Sequence, residues 1–260
     1  MQVRLDGRIA LITGGSLGIG RAIAATFAES GAGVALVARR QDVLDEAATA
    51  IRAATGGEVI AIAADVATAK GCEHAVDRAQ AVLGPIDILV NNAGSSKRGP
   101  FEEHDDAVWQ ADLDLKLFAA IRLCRRVMPE MRERRWGRVI NILNTGAKAP
   151  PGQGAPTAVT RAAGMALTKA LANEYAPHNV LVNALLVGRI ESDQWVRRHA
   201  DETGDRSLDD YYAEMGRSIP MGRVGTAEEF AAMACLLASD RGGYVTGTAI
   251  NVDGGLCPVV

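Results

Sequence analysis

The feature that most constrains the fold of this chain is a glycine-rich turn between a short apolar segment and a helix. Residues 8–13 form a nearly continuous apolar run, which is typical of a parallel strand buried on both faces. The turn GGSLGIG follows at residues 14–20, and a helix is predicted over residues 21–29. Glycines let backbone N–H groups approach a pyrophosphate, and the helix N-terminus adds partial positive charge. The turn therefore predicts a dinucleotide-binding site.

The same alternation of strand and helix continues along the chain. Short apolar segments predict further strands at residues 34–38, 58–63, 86–91, 137–143, 180–186 and 249–252. Helices are predicted at residues 42–55, 71–83, 109–134, 158–176 and 226–237. Repeated βαβ units imply a right-handed, doubly wound parallel sheet in three α/β/α layers. Residues 191–222 are polar and expected to be irregular, and no linker divides residues 1–260 into more than one domain.

Composition excludes several classes of function. The 28 Lys and Arg residues against 31 Asp and Glu residues give a net charge of −3, so no overall positive field attracts nucleic acid or an anionic membrane. No apolar run approaches the ~20 residues of a membrane span, and the N-terminus has no signal-peptide pattern. Four cysteines without a CxxC pair, and only four histidines, predict no metal site. These observations predict a cytoplasmic protein that acts on a small molecule.

Several motifs resemble one enzyme family. The spacing Thr13-Gly14-x-x-x-Gly18-Ile19-Gly20 resembles the TGxxxGIG motif of the short-chain dehydrogenase/reductase family. Other segments that resemble the family follow in the same order along nearly the whole chain: DV at 65–66, NNAG at 91–94, LANE at 171–174, VLVN at 180–183 and VTGTAINVDGG at 245–255. The resemblance implies a Rossmann fold that binds NAD(H) or NADP(H). It also implies a homo-oligomer, a dimer or more usually a homotetramer.

The end of the second predicted strand indicates which dinucleotide is preferred. An acidic residue there would bind the adenosine ribose 2′-OH and repel a 2′-phosphate. Ala38 stands at this position, followed by Arg39 and Arg40, whose guanidinium groups suit a phosphate. NADP(H) is therefore predicted over NAD(H), although Leu17 stands where NADP(H)-binding members often carry a basic residue. The alternative is that both arginines belong to a solvated loop.

The resemblance extends the cofactor site beyond the turn. It implies that Asp65 and Val66 hold the adenine and that Asn92 lines the ribose side. Gly188 belongs to the counterpart of the family's Pro-Gly turn, which faces the nicotinamide, and the family's I-x-[TS] ending follows it. The residues predicted to bind the cofactor are Gly14, Ser16, Leu17, Gly18, Ile19, Gly20, Arg39, Arg40, Asp65, Val66, Asn92, Ala93, Gly94, Arg161, Gly188, Ile190 and Ser192.

The catalytic positions depart from the family pattern. Family members usually employ Asn, Ser, Tyr and Lys, with the last two spaced YxxxK. The chain has four tyrosines, and none is followed four residues later by lysine, so it contains no YxxxK. Counting from residues that resemble the family between 109 and 161 places Lys116, Asn144, Thr157 and Arg161 at the four catalytic positions.

Only one of these four residues is expected to titrate near neutral pH. Thr157 is too weak an acid to replace a phenol, and Asn144 can hydrogen-bond a carbonyl without titrating. Arg161 keeps a positive charge that could bind ribose hydroxyls. Lys116, away from water and next to that arginine, is expected to have a lowered pKa, and its ammonium could protonate or stabilise an oxyanion. The alternative is that Lys116 reaches the surface or pairs with an aspartate of its own helix.

Three functions remain open from the sequence. The first is an atypical NADP(H)-dependent oxidoreductase that acts on a carbonyl, imine or alcohol. The second is a lyase, hydratase or isomerase on the same fold, in which Lys116 and Arg161 stabilise an enolate. The third is a cofactor-binding pseudoenzyme or partner subunit. Residues 191–222 would form a substrate lid, whose aromatic residues either line a partly apolar pocket or pack the lid on the core.

Overall fold

Seven parallel strands form one sheet in the computed structural model, which describes residues 2–202 and 206–260. The strands are β1 (Ile9–Thr13), β2 (Gly33–Ala38), β3 (Val59–Ala63), β4 (Ile88–Asn91), β5 (Gly137–Asn144), β6 (Val180–Val187) and β7 (Ala249–Val252). Their order in the sheet is β3-β2-β1-β4-β5-β6-β7. The predicted doubly wound α/β fold is confirmed.

Helices cover both faces of the sheet. They are α1 (Gly18–Glu29), α2 (Gln41–Thr55), α3 (Ala69–Leu83), α4 (Asp106–Leu113), α5 (Ala119–Arg134), α6 (Thr157–Tyr175), α7 (Asp193–Glu202), α8 (Leu208–Gly216) and α9 (Ala227–Ala238). On one face α1, α2 and α9 bury a cluster that contains Ile23, Leu44 and Phe230. On the other face α3, α5 and α6 pack around Leu123 and Val76. Because helices cover both faces, the central strands are apolar along their length rather than alternating.

Two segments differ from the sequence prediction. The helix predicted over residues 109–134 is interrupted by a π-helical segment, Asp114–Phe118, between α4 and α5. Residues 191–222 are not irregular throughout, because they contain α7 and α8. The hydroxyl of Ser207 caps α8 by accepting the N–H of Asp210, and buried apolar residues hold these short helices in place. Residues 203–205 of the predicted lid lie outside the described residues.

The strand order positions the functional site. β1 and β4 are neighbours at the centre of the sheet, and the chain winds away from them in opposite directions. All strands are parallel, so the loops that follow β1, β2, β4, β5 and β6 meet along one edge, where ligands bind in open α/β sheets. Across the described residues, every helix is too short or too polar to cross a membrane.

Candidate active site

A cleft of about 890 Å³ runs along the carboxyl edge of the sheet. Most of the residues predicted from the sequence line it: Gly14, Ser16, Leu17, Gly18, Ile19, Gly20, Arg39, Arg40, Asn92, Ala93, Gly94, Asn144, Thr157, Arg161, Gly188, Ile190 and Ser192. Three predicted residues, Asp65, Val66 and Lys116, do not line it. The chain thus brings residues from five separate loops into one continuous wall.

The glycine-rich turn leaves a helix N-terminus open to this cleft. Gly14 and Gly18 have φ of 64° and 51°, in the left-handed region that favours glycine. A side chain at Gly20 would collide with the carbonyl of Gly14, so only glycine lets α1 start so close to β1. Leu17 stands at the N-cap of α1. No side chain caps this helix, and the first turn of α1 contains no acidic residue. The free N–H groups therefore offer a site for an anion.

Hydrogen bonds that the sequence did not predict hold this turn against the end of β4. The hydroxyl of Thr13 accepts the N–H groups of Asn92 and Ala93, both at 3.0 Å, and donates to the carbonyl of Val90. The Asn92 amide donates to the carbonyls of Thr13 and Gly14 at 2.9 and 3.1 Å. Asn92 thus braces the turn as well as lining the cleft. The available signal was a polar residue at the end of an otherwise apolar strand.

The cleft suits a dinucleotide with a 2′-phosphate. Ala38, at the end of β2, lines the cleft with Arg39 and Arg40, and both arginines are exposed to solvent. No carboxylate at the end of β2 would repel a phosphate. The uncapped N-terminus of α1 is available for the pyrophosphate. The residues present therefore fit a bound NADP(H).

Asp65 and Val66 form the turn before α3 instead of part of the cleft. The Asp65 carboxylate accepts the N–H of Ala67 at 3.1 Å, and the carbonyl of Asp65 accepts the N–H of Thr68 at 3.1 Å. Val66 is buried, and its carbonyl accepts a hydrogen bond from the Cys72 thiol. Local turn formation thus engages both residues outside the cleft wall.

Lys116 lies behind the cleft wall rather than in it. It stands in the π-helical segment, and its side chain is fully buried. Its Nζ forms an ion pair with the carboxylate of Asp112 and donates to the hydroxyl of Thr157 at 2.8 Å. Asp112 also accepts the hydroxyl of Thr160 at 2.7 Å. The aspartate pairing left open by the sequence is therefore present, and Lys116 reaches the cleft only through Thr157.

Burial and neighbouring charge set the protonation of Lys116. Desolvation lowers the pKa of its ammonium, Arg161 lowers it further, and Asp112 opposes both, so that the pKa is about 8. The pKa of Arg161 is also lowered, to about 10, chiefly by burial. Of the four residues at the predicted catalytic positions, Lys116 is therefore the one that can exchange a proton close to neutral pH.

Asn144 and Arg161 present unpaired polar atoms at the cleft. The Asn144 Oδ1 and Arg161 Nε atoms are buried and have no hydrogen-bond partner among the described residues. The Nη1 of Arg161 donates to the carbonyl of Ile142 at 2.8 Å, and its Nη2 fills the space above Gly94 that a side chain would need. Buried unpaired groups are costly, and both atoms belong to residues that line the cleft.

No tyrosine is among the described residues that line the cleft. In the predicted lid, Tyr211 and Tyr212 pack on a small cluster with Met215, and Trp195 packs there while also lining the cleft. Trp195 thus lines the pocket, as one interpretation of the lid aromatics predicts. Tyr211 and Tyr212 pack within the lid, as the other interpretation predicts. Across the described residues, no group of three or more His, Cys, Asp or Glu side chains could hold a metal ion.

Comparison with known proteins agrees with this geometry. A family model described as Enoyl-(Acyl carrier protein) reductase matches residues 14–257. Nodulation protein G of Rhizobium sp. (strain N33) is 38% identical over 256 residues, which cover 98% of this chain and 99% of that protein.

Two solved structures are similar over almost the full length. L-sorbose reductase from Gluconobacter frateurii, complexed with NADPH and L-sorbose, has a TM-score of 0.94 and is 36% identical to this chain. The match covers 100% of each chain. An NADPH-bound short chain oxidoreductase from Pseudomonas aeruginosa PAO1, described as containing an atypical catalytic center, has a TM-score of 0.92 and is 34% identical over 99% of each chain.

Proposed function

This chain belongs to the short-chain dehydrogenase/reductase family, and we propose that it is an NADP(H)-dependent oxidoreductase that uses Lys116, Asn144, Thr157 and Arg161 in place of the usual catalytic residues. The open helix N-terminus, together with Arg39 and Arg40, supports the choice of cofactor. The NADPH complexes of two similar structures support it independently.

The observation that carries the proposal is a hydrogen-bonded chain from Asp112 through Lys116 to Thr157. It joins a buried ammonium, whose pKa is about 8, to a hydroxyl in the cleft wall. A threonine hydroxyl alone is a poor acid. It can nevertheless donate its proton to the substrate while it takes a replacement proton from Lys116. The phenol of the usual mechanism is thereby replaced by two residues in series.

Each residue then has a defined part in the reduction of a carbonyl. NADPH, when bound in the cleft, would supply the hydride for this reduction. The Asn144 amide donates to the carbonyl oxygen and orients it, and the Arg161 guanidinium stabilises the negative charge that develops. Thr157 gives its proton to that oxygen as it takes one from Lys116, which leaves Lys116 as the neutral amine. Oxidation of the alcohol reverses each transfer.

The hydroxyl of Thr157 must turn for this transfer. It accepts the N–H of Lys97 and donates to the carbonyl of Lys97, both at 3.0 Å. Rotation about its Cβ–Oγ bond redirects its single proton into the cleft while Lys116 remains its donor. A Thr157→Val variant removes this link without a large change in volume.

The decisive test measures NADPH consumption over a panel of carbonyls and imines. Lys116→Met should lower kcat about 100-fold or more, the effect of a lost general acid, with the Kd of NADPH within about twofold of its original value. Lys70→Met, at an exposed lysine in the first turn of α3, is the matched control and should leave both constants unchanged.

Two results would contradict this function. Turnover that is insensitive to Lys116→Met would remove the lysine from the mechanism. NADPH binding without turnover of any member of the panel would favour a cofactor-binding protein that has lost its activity. Calorimetric titration with NADPH and with NADH separates these cases from a failure to bind cofactor.

A further inference from the structure

The cleft is strongly basic although the chain is acidic. The whole sequence has a net charge of −3. Among the described residues that line the cleft, one carries a carboxylate, Asp193, and six are arginines. These are Arg39, Arg40, Arg98, Arg161, Arg189 and Arg197. This excess of positive charge favours the binding of anionic ligands.

Four of the arginines already have a role or a partner. Arg39 and Arg40 follow β2 and fit the 2′-phosphate of NADP(H). Arg161 donates to the carbonyl of Ile142 and has a part in the proposed reduction. Arg197 pairs with Asp193 at 2.8 Å, so its charge is largely offset. Arg98 and Arg189 remain.

Neither remaining arginine has an acidic partner among the described residues. Arg189 is held in place by neutral acceptors, the carbonyl of Met215 at 3.0 Å and the hydroxyl of Ser218 at 2.8 Å, both through Nη1. Its Nη2 and Nε donors are therefore left for a ligand. Arg98 forms no hydrogen bond or ion pair within the same part of the chain.

Arg98 lies within electrostatic range of Arg189 and of Arg198. Burial lowers the pKa of Arg98, and the charges of Arg198 and Arg189 lower it further, while no carboxylate opposes this effect. Arg198 lies over the ring of Trp195, which also lines the cleft, at 4.9 Å from its centre. Arg98 and Arg189, two like charges without an acidic partner among the described residues, are stabilised when an anion binds between them.

This cluster lies away from the cofactor's phosphates. Arg189 follows β6, which is four strands from β2 and its Arg39 and Arg40 in the sheet order. At about 4.8 Å between neighbouring strands, this separation is about 19 Å. Arg98 follows β4, in the loop after the NNAG segment. Both residues therefore belong to the end of the cleft that is left for the substrate.

We propose that Arg98 and Arg189 bind an anionic group of the substrate, a carboxylate or a phosphate attached to the carbonyl compound that is reduced. This inference rests on the proposed function and adds the chemical class of its substrate. Arginine donors approach such a group in pairs, which fixes the carbonyl relative to the catalytic residues as well as holding the molecule.

The first experiment compares charged substrates with their neutral counterparts. A 2-oxo acid is measured against its methyl ester, and hydroxyacetone phosphate against hydroxyacetone, so that the two pairs distinguish carboxylate from phosphate. For the preferred anion, Arg98→Met and Arg189→Met should each raise KM about 10-fold to 100-fold. The KM of the neutral counterpart should stay within about threefold. Arg78→Met is the matched control, since Arg78 is an exposed arginine of α3 that does not line the cleft.

The second experiment does not depend on turnover. Malonate and inorganic phosphate are titrated calorimetrically into the complex with NADPH, using the original chain and each variant. Binding of either anion that is lost in both Arg98→Met and Arg189→Met supports the subsite, even if no carbonyl is reduced and the proposed function fails. The proposal is overturned if neither anion binds, if binding survives either substitution, or if both charged substrates are reduced with the same kcat/KM as their neutral counterparts.

Discussion

The two ends of the cleft are built in different ways. At the cofactor end, the glycine-rich turn offers backbone N–H groups, and Arg39 and Arg40 of a second loop add exposed positive charge. At the catalytic end, Lys116, Asn144, Thr157 and Arg161 come from four separate positions, and the essential titratable group is buried behind the wall. Backbone recognition thus tolerates little change in shape, whereas the catalytic end depends on charge and on exact pairing of buried groups.

This difference explains why the catalytic residues can depart from the family pattern while the cofactor end keeps it. A glycine whose missing side chain leaves room for a helix has no substitute. Proton transfer needs only a group of suitable pKa and a path to the substrate, so an ammonium and a hydroxyl can replace a phenol. The following substitutions test each half of the comparison, in order of decreasing expected effect.

The largest effect is expected from Asp112→Leu at the catalytic end. It leaves the ammonium of Lys116 buried without its carboxylate, which should cost about 3–5 kcal/mol of unfolding free energy in urea denaturation. The double variant Asp112→Leu, Lys116→Met removes both charges and should recover most of that loss. If the single and double variants are equally unstable, the pair contributes shape rather than charge.

At the cofactor end, Gly20→Ala should act through sterics alone. The new Cβ meets the carbonyl of Gly14, so the turn or α1 must shift, at a cost of about 3 kcal/mol. Gly152→Ala is the control, since a side chain there has nothing within 4 Å. Thermal unfolding and the Kd of NADPH report the two consequences. Retained stability and affinity in Gly20→Ala would show that the turn adapts.

The double substitution Arg39→Gln, Arg40→Gln should change cofactor choice without touching catalysis. Loss of charge-assisted bonds to the 2′-phosphate should raise the Kd of NADPH about 10-fold to 30-fold, while the Kd of NADH stays constant. Equal effects on the two cofactors would place both arginines in a solvated loop. The value of kcat at saturating NADPH should not move.

The smallest effect is the pH dependence of the reduction. In the proposed mechanism the ammonium of Lys116 is the proton source. It is present below its pKa of about 8, so the rate should fall about tenfold per pH unit above that value. Asp112 raises the pKa of Lys116, so Asp112→Asn should move this limb to lower pH. If the pH profile of Lys116→Met shows the same fall in rate at the same pH, the fall belongs to another group.

Sequence patterns were most informative where structure is local. The apolar segments predicted all seven strands, and most of the residues predicted to bind the cofactor line one cleft, because burial on both faces and tight turns restrict residue type directly. They did not predict the π-helical segment at Asp114–Phe118, since its residues differ little from those of an ordinary helix. They also gave Asp65 to the cofactor, although a hydrogen bond to Ala67 holds its carboxylate in a local turn.

The sequence by itself determined the layered fold, the cofactor end and the absence of a YxxxK pair, because these depend on neighbouring residues and on the period of apolar positions. Only the tertiary structure decided that Lys116 is buried, pairs with Asp112 and donates a hydrogen bond to Thr157, and that Arg98 and Arg189 have no acidic partner among the described residues. Protonation and charge balance depend on groups far apart in the chain, whose distances exist only after the sheet and its helices have packed.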